Sequence, residues 1–309
     1  MLVKDPPVEI DNNFWMLGTN EYPFYLYRGA ESGTIFEGGI GPMGRLVCEQ
    51  LSELGVTDDY IKQLVVTHAH PDHVMAVPAL REAYPGVCVM ASEPAARTLG
   101  NEKAVGFFCK MDDGLTGALS AAGQITEEQR RPPMAENTIP IDQVLKQDDS
   151  IQVDQNTAFR VLETPGHSDC SLSFHEPNAG LLIISDATGF YLPESQWWWP
   201  NYFTDYGAYL GSIQRLAELK ANALCLSHNG VIRGADDVAA YLQGAIDTTE
   251  SYHERIVNLA QAGKSVREIA GVLGADVFEK TQLMPLEFFQ KNCGILVKNS
   301  LRHEGIEAE

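Results

Sequence analysis

Short apolar runs broken by turn residues set the rhythm of the first third of the chain. Phe14-Trp15-Met16-Leu17, Phe24-Tyr25-Leu26-Tyr27 and Thr34-Ile35-Phe36 read as three opening strands. From Arg45 the period changes: Val47, Leu51 and Leu54 share one face of a helix that Gly55 stops. Leu64-Val65-Val66 is apolar again. A helix is expected over residues 74–84, ended by Pro85-Gly86, and Val87-Cys88-Val89-Met90 is a buried strand. Further strands follow at Ala158–Leu162, Leu181–Ser185 and Ala223–Ser227. Beyond Gly234 the pattern is helical throughout. Val238, Leu242, Ala245, Ile246, Thr249, Ile256 and Leu259 recur at helical spacing, and Gly263 ends that helix. Ser265 and Glu268 form a capping box for a second helix. A third, after Pro285, carries Leu286, Phe289, Cys293 and Leu296 on one face.

Strands mixed with helices give an α/β (α+β) class. The expected division is a mixed strand-and-helix domain over residues 1–233, with an insertion at about 103–141, and a helical C-terminal cap over 234–309. The insertion holds a helix-like stretch and then Arg130-Arg131-Pro132-Pro133, and it could overhang a site, against the alternative of a solvated loop.

The chemistry is concentrated directly after Leu64-Val65-Val66, in Thr67-His68-Ala69-His70-Pro71-Asp72-His73. Imidazole and carboxylate together suit zinc, iron or manganese. Side chains two apart on a strand share a face, so His68 and His70 can clamp one ion. Asp72 and His73, past Pro71, can reach a second. Three more ligand types each close an apolar run: His167 in Thr164-Pro165-Gly166-His167-Ser168, Asp186 after Ser185, and His228 after Ser227. Strand ends at one sheet edge are where α/β proteins place their sites. Five of the eight histidines lie in these motifs; His175, His253 and His303 read as surface or packing residues.

This ordered set resembles the metallo-β-lactamase superfamily over about residues 12 to 232. The resemblance implies an αββα sandwich of two mixed β-sheets flanked by helices, here with a C-terminal helical extension. It implies two divalent metal ions, with His68, His70 and His167 on the first, Asp72, His73 and His228 on the second, and Asp186 bridging. Dinuclear true β-lactamases usually carry Cys at the Asp186 position or lack the bridging carboxylate. The chain therefore looks more like the glyoxalase II, thioesterase, phosphodiesterase and flavodiiron branches. Its helical C-terminus and Glu37-Gly38-Gly39 resemble the quinolone-signal-response thioesterase branch. Family members commonly place Asp-x-Gly where Glu37 stands, which makes Glu37 a candidate to support a ligand histidine.

After Asp186 aromatic residues crowd together, and aromatics with polar tips commonly line ligand pockets. Tyr191, Trp197, Trp198 and Tyr202 are the candidate substrate contacts, against the alternative that they staple the segment to the helices. The cysteines show no C-x-x-C spacing and read as buried thiols, Cys170 near His167 included.

Composition narrows the partners. The net charge of −20 disfavours nucleic acid, whose phosphates need Lys and Arg. No run is long and apolar enough to span a membrane, and the opening residues lack an apolar signal region. A cytoplasmic enzyme of a small-molecule substrate is the expectation, with a homodimer through the amphipathic C-terminal helix.

The mechanism expected is a metal-bridging hydroxide attacking an ester or thioester, with Asp72 as catalytic proton acceptor besides its ligand role. The alternatives are a phosphodiesterase, a diiron oxygen or nitric oxide reductase-like redox protein, and a metal-binding signalling protein. Flavodiiron enzymes carry a flavodoxin-like domain, for which the chain beyond residue 234 has no room.

Overall fold

The computed structural model describes residues 1–121, 123–131, 134, 137–282 and 284–307, so Pro132-Pro133 of the insertion falls outside the described residues. Contacts divide the chain into two units. The first comprises Met1–Glu163, Cys170–Ser185 and Asn222–Gly234. The second comprises Thr164–Asp169, Asp186–Ala221 and Ala235–Glu309.

The first unit contains two seven-stranded mixed sheets. After the short β1 (Leu2–Val3), one sheet runs in chain order through β2 (Val8–Asp11), β3 (Phe14–Gly18), β4 (Pro23–Arg28), β5 (Gly33–Phe36), β6 (Ile61–Val65), β7 (Cys88–Ser92) and β8 (Gln143–Leu145). Strands β2 to β5 are antiparallel, and β5 to β8 are parallel. Parallel neighbours need long crossovers, and α1 (Met43–Glu53) supplies the one between β5 and β6. The other sheet is built from β9 (Ser150–Asp154), β10 (Thr157–Glu163), β11 (Leu172–Glu176), β12 (Leu181–Ile183), β15 (Ala223–Cys225) and β16 (Val231–Arg233). Its order is β1-β16-β15-β12-β11-β10-β9, with β12 and β15 parallel.

Two apolar cores follow. Phe14, Tyr25, Phe36, Phe159, Val161, Phe174 and Cys225 from both sheets interdigitate in one. In the other, α1, α2 (Val77–Ala83) and α4 (Glu102–Ala121) bury Met43, Val47, Leu80, Val105 and Phe108 against Leu26, Ile35 and Leu64. A short helix, α3 (Glu93–Leu99), is capped by Ser92. Strand β12 is apolar and buried at every position because both its faces are covered, and β5 is buried throughout.

The expected helix over 74–84 is shorter than its apolar pattern. A 3₁₀ turn spans Pro71–His73, and the α-helix begins only at Val77. The amides of Met75 and Ala76 donate instead to the carbonyls of Gly39 and Gly38, at 2.8 and 2.9 Å. That tie draws the histidine-bearing segment to the end of β5. The insertion is α4 and a short turn, and α4 packs against the Pro71–His73 turn.

The second unit holds α5 (Tyr206–Glu218), α6 (Ala235–Gln261), α7 (Val266–Thr281) and α8 (Leu286–His303). The Ser265–Glu268 capping box is formed as the sequence predicts. The aromatic segment is not a plain loop: β13 (Phe190–Leu192) and β14 (Trp197–Trp199) pair as an antiparallel ribbon. Aromatic residues facing each other across two strands favour such a pairing, here Tyr191 opposite Trp198 and Phe190 opposite Trp199. Among the described residues no helix is long and apolar enough to cross a membrane.

Candidate metal centre

In the first unit the candidate ligands sit where strands end. Strand β6 stops at Val65, and His68 and His70 follow within a few residues. His68 is fully buried, and its Nε2 lies 3.0 Å from Nδ1 of His70. The 3₁₀ turn then presents Asp72 and His73, with His73 Nε2 3.5 Å from Asp72 Oδ2. His228, just past β15, brings its Nε2 to 3.8 Å from the same Asp72 oxygen. Asp72, His73 and His228 offer one ligand atom each, all within 4.8 Å of one another. The rings of His68 and His73 are 4.2 Å apart between centroids, so the pairs form one continuous cluster.

The surroundings choose which nitrogen faces the cluster. Glu37 Oε2 lies 3.1 Å from His73 Nδ1, and His228 Nδ1 is 2.7 Å from the Glu21 carbonyl. A carbonyl only accepts, so His228 carries its proton on Nδ1 and turns the Nε2 lone pair inward. Ser185 Oγ stands 2.8 Å from His68 Nδ1, a hydroxyl that pairs with either tautomer. Carboxylate and carbonyl partners of this kind orient imidazole ligands and raise their basicity.

Three residues beside these side chains hold backbone conformations that non-glycine residues rarely adopt. Glu37, Ser185 and Asn229 have φ of +92°, +51° and +69°. Such strain costs of order 1–3 kcal/mol per residue and persists where surrounding bonds over-determine it. Here the bonds are visible. Glu37 accepts from Gly38 N–H at 2.8 Å and from the Thr67 hydroxyl at 3.1 Å. Asn229 N–H donates to the Asn20 carbonyl at 2.7 Å.

The loop between β3 and β4 thus supports His228 through Asn20 and Glu21. Tyr22 adds a ring edge-on to His228, with centroids 5.7 Å apart. Burial, followed by the charge of Asp72, holds the Tyr22 phenol well above its ordinary value, so it stays protonated at neutral pH.

In the second unit His167 and Asp186 lie together, His167 Nε2 3.3 Å from Asp186 Oδ2. His167 Nδ1–H donates to the Asn201 carbonyl at 2.9 Å, which again leaves Nε2 as the coordinating atom. Gly166, with φ of +123°, allows the close approach of this loop to α5.

The aromatic candidates divide by burial. Tyr202 is fully buried, its hydroxyl 2.9 Å from Ser300, and it serves the packing of α8. The Tyr191 and Trp198 rings lie 4.5 Å apart, tilted by 38°, and both lean on Tyr241 of α6. Gly244 makes room for Trp198: a Cβ there would meet the ring at 2.7 Å. Trp197 is partly exposed on the ribbon. Cys170 is a packing residue, accepting from Ala69 N–H at 3.3 Å.

Sequence reasoning passes over Ser185, Glu21, Asn201 and Tyr22. Two of them, Glu21 and Asn201, act through backbone carbonyls, which no side-chain motif records. Ser185 does carry a signal, as a polar residue closing an apolar strand.

Comparison with known proteins bears on the same residues. The model of the metallo-beta-lactamase superfamily matches residues 22–228. Among curated proteins, the uncharacterized protein YobT of Bacillus subtilis (strain 168) is 23% identical over 221 residues, covering 69% of this chain and 85% of that protein. Among solved structures, a metallo-beta-lactamase family protein from Thermus thermophilus is 21% identical with a TM-score of 0.64. It covers 96% of this chain and 95% of its own. BJP-1 of Bradyrhizobium japonicum, a subclass B3 metallo-beta-lactamase, is 15% identical with a TM-score of 0.59, over 85% of this chain and 98% of its own. At these identities the likeness to the solved structures establishes the fold.

Proposed function

The chain belongs to the metallo-beta-lactamase superfamily, and from that premise we propose that it is a metal-dependent hydrolase acting on an ester or thioester. The observation that carries the proposal is the Asp72, His73 and His228 group, three donors within 4.8 Å whose imidazoles are already turned by Glu37 and the Glu21 carbonyl. Two nitrogens and a carboxylate oxygen suit zinc, iron or manganese. The residues therefore fit a divalent ion. His68, His70, His167 and Asp186 complete the family's ligand order, and we assign all seven to a two-ion centre. Two bound ions supply Lewis acidity and lower the pKa of water enough for attack at neutral pH.

The side chains do the rest. The Asp72 carboxylate has two oxygens, so one can ligate while the other receives the proton released on attack. The Glu37 carboxylate, 3.1 Å from His73 Nδ1, favours a proton on that nitrogen and so leaves Nε2 to ligate, while Ser185 Oγ faces His68 Nδ1 at 2.8 Å. The Tyr22 phenol, protonated at working pH, presents a donor beside His228 and Asp72. Trp197, on the ribbon that follows Asp186, is the candidate for contact with an apolar part of the substrate. An aspartate at position 186, where dinuclear β-lactamases usually have cysteine or lack the bridging carboxylate, disfavours antibiotic hydrolysis.

The test combines elemental analysis with a substrate panel. Purified protein should hold about two divalent ions per chain, and Asp186→Ala should lose most of them. Thioesters and esters should then be cleaved faster than phosphodiesters. Preference for phosphodiesters would replace the substrate class and keep the hydrolase. Absence of metal uptake on reconstitution would overturn the proposal.

A further inference from the structure

We infer that Tyr209, buried in the second unit and outside the ligand motifs of the sequence, is the positioning residue that sets the tautomer and orientation of His167. Its ring is fully buried, and its hydroxyl accepts a hydrogen bond from Asn201 N–H at 3.3 Å. Asn201 in turn accepts from His167 Nδ1–H at 2.9 Å. One residue thus stands between the phenol and the imidazole. A displaced Asn201 would release the proton that now commits Nε2 to the ligand role.

The same side chain also braces the turn that carries Asp186. Gly189 N–H donates to the Asp186 carbonyl at 3.0 Å. A Cβ on Gly189 would lie 2.9 Å from the Tyr209 hydroxyl, so the phenol closes against that turn. The backbone of Tyr209 presses on the His167 loop directly: a Cβ on Gly166 would meet Tyr209 N and Cα at 2.2 Å. Thr204 N–H and its hydroxyl both donate to the Gly166 carbonyl, at 3.0 and 2.9 Å, fixing the start of α5 to the loop. Tyr209 therefore touches the supports of both His167 and Asp186, which the proposed function makes metal ligands. Its effect on metal affinity rests on that reading; its effect on the His167 tautomer does not.

The experiment compares the full chain with Tyr209→Phe, which keeps the ring and removes one hydroxyl. Ser212→Ala is the control, because Ser212 binds the neighbouring Pro165 carbonyl at 2.8 Å without reaching Asn201. Imidazole nitrogen-15 shifts of the metal-free proteins, at one fixed pH, report the tautomer. Zinc affinity is measured by competition with a chromophoric chelator. In the unaltered chain and in Ser212→Ala, His167 should be the Nδ1–H tautomer. In Tyr209→Phe it should become a mixture, and zinc affinity should fall about tenfold. An unchanged His167 tautomer in Tyr209→Phe would overturn the inference whatever the affinity. If that variant does not fold, an Nε2–H tautomer in the unaltered chain would overturn it and an Nδ1–H tautomer would uphold the Asn201 link on which it depends. Failure of the unaltered chain to bind zinc would strike the proposed function and leave the tautomer comparison valid.

Discussion

Glu37 Oε2 stands 3.1 Å from Nδ1 of His73, both side chains nearly inaccessible to solvent. The contact joins the end of β5 to the 3₁₀ turn after β6, and it needs a glutamate in a left-handed backbone conformation, φ +92°. An acid at a strand end is thereby placed to hold a ring. Glu37→Gln should lower zinc affinity by about 10–100-fold while leaving the secondary structure intact. Chelator competition and far-UV circular dichroism on the same preparations check both halves. Undiminished affinity would reduce Glu37 to a turn residue.

Gly166 tests the approach of the His167 loop to α5. With φ of +123° and a Cβ position 2.2 Å from Tyr209 N and Cα, alanine is excluded sterically as well as conformationally. Gly166→Ala should destabilise by about 2–4 kcal/mol and weaken metal binding together. Urea denaturation of the metal-free protein reads the first effect. A variant as stable as the original would mean that the loop moves away from α5 at no cost.

Asp112 tests how the insertion is anchored. Its carboxylate, 1% exposed, accepts from Gly41 N–H at 2.7 Å and faces Arg131 Nε at 3.1 Å. Burial pushes its carboxyl up even against these partners, so the pair is a costly one to hold. Removing Asp112 takes away the Gly41 and Arg131 Nε contacts and leaves Arg131 to the exposed Asp113, 3.1 Å from its Nη2. Asp112→Ala should cost about 1–3 kcal/mol. Proteolysis should then cut first between α4 and β8, and equal resistance in both proteins would count against the anchor.

His253 makes stability depend on pH. It is buried on α6, stacked on Tyr206 at 3.9 Å, with Nε2 3.1 Å from Glu304 Oε1 and His303 edge-on at 5.6 Å. Burial lowers its pKa, against the opposing pull of Glu304 and Glu254. The unfolded chain therefore takes up the proton first. The neutral-state stability is whole above the ordinary value of about 6.5 and is lost as pH falls through it toward the folded value. The thermal midpoint of the unaltered chain should drop more steeply from about pH 7.5 to about 5.5 than that of His253→Gln. Parallel curves would remove His253 as the cause.

The strands and helices are legible in the sequence because burial on both faces writes continuous apolar runs, as in β12, while amphipathic helices such as α6 write a period near four. The helix over 74–84 starts later than its apolar pattern predicts. The tie of Met75 and Ala76 to Gly38 and Gly39 is a tertiary bond that local pattern does not encode. The aromatic run hides a ribbon for a similar reason, since pairing needs a partner segment.

The seven candidate ligands were determined by the chain alone: ligand chemistry requires particular side chains, and each closes an apolar run. Which nitrogen His167 and His228 offer was decided only by the tertiary structure. Glu21 and Asn201 contribute backbone carbonyls that every residue possesses, and Tyr209 contributes a hydroxyl through an intermediary. Their roles arise from distance and direction, which a linear order of residue types does not contain.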